Sequence, residues 1–443
     1  MLLKTKQVPS YLSALILVVG TYLIGYKAHI GDFSIIISVF SLCFCSLYVL
    51  QKSKLEEKKL FRLGIVLRLI LIFSIPILSD DYFRFIWDGF LIQDGYNPFE
   101  YKPNELIAKF NDSKIHNELY SGMNSANYYT IYPPVNQWIF YLSAFTKSIF
   151  GGILVIRLLI ICTEIATYFV IKKILNRYNL NHNRIWWYWL NPLVILELTG
   201  NLHCEGIMTL FLILSLYNFA RLKDINGGIL LGLSVLSKLY SLIFFPILLL
   251  KANWFRSKKI LLGAIPIIII AFLPFFNFKN TNHFLQTIGI YFHTSEFNGS
   301  LFNFVKWFGD IFFGLDINFS PGPILSFIAF ILILIISWVF RFRNRLAIFK
   351  ALTLMVCIYL FLSPIVHPWY CILPLTLSLF TKMKFMIVWS ATIFLSYVIY
   401  DNSFSDNFKN LLISFEYLVV FLVLINDLKN SFSFQKIKSS FKI

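Results

Sequence analysis

The chain has 443 residues, of which 58% are hydrophobic and only 14% charged. Its apolar residues come in long runs such as Ile260 to Phe276, uncharged over most of a bilayer's thickness, which excludes a soluble fold and implies membrane helices, not a barrel. The net charge of +17 sits in Lys/Arg clusters that flank those runs instead of forming a patch interleaved with aromatics, so it reports topology and speaks against a nucleic-acid partner.

The chain opens on Lys4 and Lys6 ahead of an apolar run, Tyr11 to Tyr26. That run lacks a small-residue cleavage site and continues into a second, Phe33 to Leu50, so it reads as an uncleaved first span. The Lys4/Lys6 end and the cluster from Gln51 to Lys59 are cytoplasmic by the positive-inside rule. A third run, Phe61 to Leu78, then delivers Ser79, Asp80 and Asp81 to the outer face. From Ser79 to Thr130 the chain is polar, a stretch of roughly fifty residues that no simple connector needs and that marks function. Pro134 to Phe150 is apolar, but if it and the next run, Ile153 to Ile171, both crossed, Lys172, Lys173, Arg177 and Arg184 would fall outside. The Pro134 helix is therefore expected to be re-entrant or interfacial, part of a first outer loop 79–151.

Trp186 to Thr199 goes out to Gly200-Asn201-Leu202-His203-Cys204-Glu205-Gly206, and Ile207 to Ala220 returns. Gly227 to Leu250 ends beside cytoplasmic Lys251 and Arg256, so a hairpin turning near Lys238 is expected. Ile260 to Phe276 leads to a second outer loop, 277–321. Pro323 to Phe340, Ala347 to Pro364, a short run opened by His367-Pro368-Trp369-Tyr370, and spans at Phe385 to Tyr400 and Leu411 to Ile425 complete the chain. The expected architecture is one integral membrane domain, 1–443, all-α and polytopic, with about 12 to 14 transmembrane helices at roughly twenty residues per span. Both termini are expected in the cytoplasm. Six scattered cysteines, most inside apolar runs (Cys43, Cys45, Cys162, Cys357), show neither CxxC nor ligand spacing, so no disulfide framework or structural zinc is expected.

This topology gathers Asp80, Asp81, Arg84, Asp88, His203, Glu205, Lys238, His283, His293 and His367 on one side of the membrane, while the cytoplasmic face is mostly solvated Lys and Arg. In a chain so poor in acids that clustering is the main functional signal. A helix from Ser79 puts Asp81, Arg84 and Asp88 on one face by three- and four-residue steps. Asp80 and Asp81 also suit the first turn of a helix, where the macrodipole favours acids. Lys238 in an apolar run costs about 2.5 kcal/mol or more if unpaired, which points to an anion beside it.

The order DDYFRFIWDG, DGYNPFEY, YPPVNQW, NPL leading into GNLHCEG, LSKLYS and HPWY, spread from about Leu60 to Phe380, resembles the GT-C superfamily of membrane glycosyltransferases. It is most similar to the mannosyltransferase-like members that use polyprenyl-phosphate sugars, although two spans precede the acidic loop's lead-in helix where many members have none. The resemblance implies that a sugar, mannose or another hexose, moves from a polyprenyl-phosphate donor to a hydroxyl of a glycolipid or glycan, with inversion, outside the cytoplasm; the Lys-, Asn- and Ile-rich composition points to a bacterial cytoplasmic membrane. Asp80 or Asp81 matches the family's acidic position. Asp81, which shares a face with Arg84, is expected to take the acceptor's proton. Lys238, with Arg84 or His367, is expected to meet the leaving phosphate. Asp88, His203 and Glu205 suit sugar or acceptor hydroxyls, and Trp87, Trp369 and Tyr370 offer flat aromatic surface. No Gly-rich nucleotide site is present, and neither cofactor nor metal is expected.

Two other readings use the same residues differently. A transporter or lipid-linked-sugar flippase would place charges at the bilayer midplane within repeated halves, of which the broken Gly227 to Leu250 run is the only hint. A lipid-linked glycan ligase or polymerase would depend on His283 and His293 and not on Asp81.

Overall fold

The computed structural model describes residues 8–293, 296–314, 320–344 and 346–440. All regular elements among them are helical, apart from one isolated bridge between Phe297 and Ile365. Among the described residues, five helices are long and apolar enough to cross a membrane: Val8–Tyr26 (α1), Phe33–Gln51 (α2), Ile149–Arg177, Gly322–Phe340 and Asp406–Asn430. A sixth span arises if the pair Pro192–Gly200 and Glu205–Ala220, bent by 114°, counts as one, and four apolar helices of 10–17 residues stand beside them. The chain is thus an all-α polytopic membrane protein in which several segments expected as full spans are short or broken.

The breaks fall where the sequence places proline or a polar residue. The third run is helical only over Glu57–Ile70 (α3) and continues irregularly through Pro76 to Ser79. Helix Asp81–Gln93 (α4) follows, and the polar stretch behind it folds into short helices, among them Lys114–Gly122 (α5). The Pro134 helix spans Pro134–Ala144 (α6), too short to cross, with proline in its first turn where the missing N–H costs nothing. The long helix Ile149–Arg177 (α7) comes next. Asn191 caps Pro192–Val194, which runs into a π-helical turn, Ile195–Gly200, before Glu205–Ala220 (α8). The Gly227 to Leu250 run is Asp224–Ser237 (α9), then a 3-10 stretch Leu239–Phe244 and Phe245–Lys251 (α10), with the break at Lys238 itself.

A broken helix in an apolar medium leaves carbonyls that water cannot reach, so other groups must satisfy them. Arg157, fully buried on α7, does this for two breaks at once: it donates to Ile72 O (3.0 Å) and Ser74 O (2.5 Å) after α3, and to Thr199 O (2.8 Å) and Gly200 O (3.0 Å) at the π-helical turn. Two turns further along α7, Glu164 accepts Arg68 Nη2 at 2.6 Å and Nε at 2.9 Å, and also the Thr199 hydroxyl. Arg68 reaches the Gly64 and Trp189 carbonyls with its remaining nitrogen. Removing one member of such a buried pair costs roughly 3–5 kcal/mol, because the other charge is left unpaired. These two side chains of α7 therefore fix the irregular segments that lead to Asp80 and to His203.

Candidate active site

Ser79 Oγ accepts the Asp81 N–H (3.3 Å), while Asp80, at the N-cap position, makes no side-chain cap bond. Neither carboxylate makes a cap bond at the start of α4, although Asp80 stands at its N-cap and Asp81 in its first turn, where the macrodipole favours an acid. Both line a cavity of about 820 Å³. Asp80 accepts the Asn124 side-chain N–H at 2.9 Å. Asp81 reaches further in and comes within 3.9 Å of His203 Nδ1.

The remaining walls come from the broken segments. Lys238 adopts an extended backbone (φ −159°, ψ 123°) between α9 and the 3-10 stretch, and the preceding carbonyl, Ser237 O, accepts Asn136 Nδ2 at 2.9 Å, which ties this break to α6. Tyr132, Pro133 and Asn136 line the same cavity, so the Pro134 helix is one of its walls. The Lys238 ammonium pairs with Glu205, the first residue of α8, and sits 4.0 Å above the Tyr370 ring. His203, Trp369 and His367 form a stack, with centroids 3.5 Å apart for the first pair and 4.4 Å for the second.

Eight expected site residues therefore share one cavity: Asp80, Asp81, His203, Glu205, Lys238, His367, Trp369 and Tyr370. Arg84, Trp87 and Asp88 do not line it. Arg84 donates Nε to Asp88 Oδ1 (2.7 Å) and Nη1 to Ser125 O and Tyr128 O (3.0 and 2.9 Å), while Asp88 also accepts Thr130 Oγ1 (2.6 Å) and Gln137 Nε2 (2.9 Å). This buried network folds the polar stretch onto α4, and it removes the reason for preferring Asp81 on the ground of a face shared with Arg84. Trp87 is fully buried, edge-on to His116 and Phe110. His283 stacks on Tyr129 (4.0 Å, 8°) and is not part of the cavity wall; the side chain of His293 lies outside the described residues.

Electrostatics separates the two acids in another way. Burial pushes the Asp81 carboxyl up from 3.8 to about 7, Asp80 and Glu205 add to the shift, and Lys238 and the Tyr132 hydroxyl oppose it. Asp80 is also raised by burial. A carboxylate poised near neutrality and facing a cavity is suited to accept a proton. Glu197, Asn201 and Tyr397 escaped the sequence reading. Glu197 is a charged residue inside an apolar run, the same signal that exposed Lys238.

Residues 10–253, more than half of the chain, match the family model described as alpha-(1->6)-mannopyranosyltransferase, N-terminal domain. The chain belongs to this family. It is accordingly a membrane mannosyltransferase of the GT-C type, as the motif order implied, and an enzyme of the hexosyltransferase class. The matched segment holds Asp80, Asp81, His203, Glu205 and Lys238, and the rest of the transferase contributes His367, Trp369 and Tyr370 to the same cavity. No curated protein matches the sequence.

Proposed function

We propose that this transferase moves mannose from a polyprenyl-phosphate donor to a hydroxyl of a glycolipid or glycan acceptor, on the extracytoplasmic face of a bacterial cytoplasmic membrane with both termini inside. The observation that carries the reading is one cavity presenting a carboxylate poised near neutrality and an ammonium close enough to influence it. The acceptor hydroxyl attacks the anomeric carbon on the face opposite the phosphate, Asp81 takes its proton, and the bond from that carbon to the phosphate oxygen breaks. One displacement of this kind inverts the anomeric centre. The leaving group gains a negative charge, which Lys238 is placed to stabilise, with His367 as a further donor. Trp369 and Tyr370 present ring faces to a sugar, and Asp80 and Glu205 present oxygens to its hydroxyls. Ile243, Ala329 and Ile333 make another side of the cavity apolar, which suits the first units of an isoprenoid. The scheme calls on no metal. The family description points to an acceptor with a mannose 6-hydroxyl.

Purified protein in proteoliposomes, supplied with β-mannosyl polyprenyl phosphate and a mannosylated lipid, is expected to form an α-linked product and free polyprenyl phosphate. Transfer from nucleotide-linked mannose with no need for the lipid phosphate would overturn the reading.

A further inference from the structure

Glu197 lies on the π-helical turn Ile195–Gly200 and has no exposed surface. Its carboxylate accepts the Tyr397 hydroxyl (2.7 Å) and Asn201 Nδ2 (3.2 Å). Asn201 Oδ1 in turn accepts the Leu78 N–H (3.2 Å), three residues before Asp81. The next residue, Leu202, is buried with φ +66°, a conformation that costs about 1–3 kcal/mol in a bulky residue and clusters at functional sites. π-helical turns are likewise frequent at such sites. Together these two irregularities swing His203 back over Glu197, whose carbonyl accepts the His203 N–H at 3.2 Å.

The imidazole then stands between two carboxylates. Nε2 is 3.5 Å from Glu197 Oε2 and Nδ1 is 3.9 Å from Asp81 Oδ2, and Nε2, though buried, makes no hydrogen bond. Stacking on Trp369 fixes the ring plane. Burial opposes a positive charge on the ring, and so do Lys238 and His367, the other charged groups that reach it, so any imidazolium here is a short-lived species. With 2% of its side chain exposed, His203 offers a sugar little surface. A neutral imidazole has one N–H and one lone pair, and Glu197, the nearer of the two acids, favours the tautomer protonated at Nε2, which leaves the Nδ1 lone pair on the side of Asp81.

We propose that Glu197, His203 and Asp81 form a proton relay in which His203 takes on the proton that Asp81 receives from the acceptor hydroxyl, and Glu197 is the positioning residue that sets the ring's tautomer. This rests on Asp81 as the base. During transfer the acceptor O–H proton moves to the Asp81 carboxylate as the new glycosidic bond forms and the phosphate departs with its electron pair. It then passes to Nδ1, giving an imidazolium flanked by two carboxylates, and leaves to water once product vacates the cavity.

The test uses the full-length protein in proteoliposomes. His203→Ala should lower kcat by about 10²-fold with the KM of donor and acceptor unchanged, and added imidazole should restore part of it. Glu197→Gln, of nearly the same shape, should lower kcat about tenfold, also at constant KM, and provides a reading if the alanine variant fails to fold. Raised KM at unchanged kcat in either variant would make these residues sugar ligands and overturn the relay, as would a His203→Ala defect that imidazole leaves unmoved. If Asp81→Asn is inactive while His203→Ala keeps its kcat, the relay alone fails. If Asp81→Asn stays active, the base assignment beneath it fails.

Discussion

Asp81→Asn is expected to lower mannose transfer by about 10²–10⁴-fold, the range for loss of a positioned base, while the protein remains folded. The sign of its effect on stability separates chemistry from folding. Because the folded chain raises this carboxyl from 3.8 to about 7, it holds the proton more tightly than the unfolded chain does. The stability gained from that proton is present below the unfolded value and is lost as pH rises through about 7. At pH 8 the ionised Asp81 opposes folding, so the Asn variant should melt in detergent at the same temperature as wild type or higher. For the wild type, kcat/KM should rise with pH up to about 7 and then level, since only the carboxylate accepts a proton. Near-normal transfer by Asp81→Asn and also by Asp80→Asn would remove both acids from the chemistry.

Lys238→Met should cost about 10²–10³-fold in kcat, the loss found when one group that stabilises developing charge is removed. The effect belongs in kcat because the phosphate gains its extra charge only as the bond breaks. It should also move the acid limb of the pH profile upward, because Lys238 is the charge that holds the Asp81 carboxyl down. One alternative is that the ammonium serves only to neutralise Glu205, which is 5% exposed and would be left unpaired in the variant. Pairing Lys238→Met with Glu205→Gln relieves that problem. A double variant that folds and is slower in kcat than Glu205→Gln alone supports the phosphate role, and one that only matches Glu205→Gln contradicts it.

The acids at Asp80 and Asp81, the break at Lys238, the short Pro134 helix and the His203 and His367 segments were legible because each sets polar or proline residues against an apolar background. The helical periodicity also placed Asp81, Arg84 and Asp88 within reach of one another, and Arg84 with Asp88 do pair. What periodicity does not contain is the neighbour each face meets. Arg84 turns to the carbonyls of Ser125 and Tyr128, far along the polar stretch, while Asp81 turns to His203. Arg68, Arg157 and Glu164 lie inside apolar runs whose hydropathy alone predicts uniform spans, although a charge at membrane depth is itself a signal. Their role became visible only with the breaks they satisfy. The same holds for Glu197, whose partner Tyr397 is 200 residues away.

Photolabelling would show whether a lipid phosphate binds at Lys238 in this cavity. Polyprenyl phosphate carrying a diazirine on its first isoprene unit, incubated with the transferase in proteoliposomes, should label the segment 237–243 and the facing part of 326–333, which line the cavity. The label should be lost in Lys238→Met. Labelling confined to the basic segments 172–177 or 251–259, and unchanged in that variant, would contradict the account.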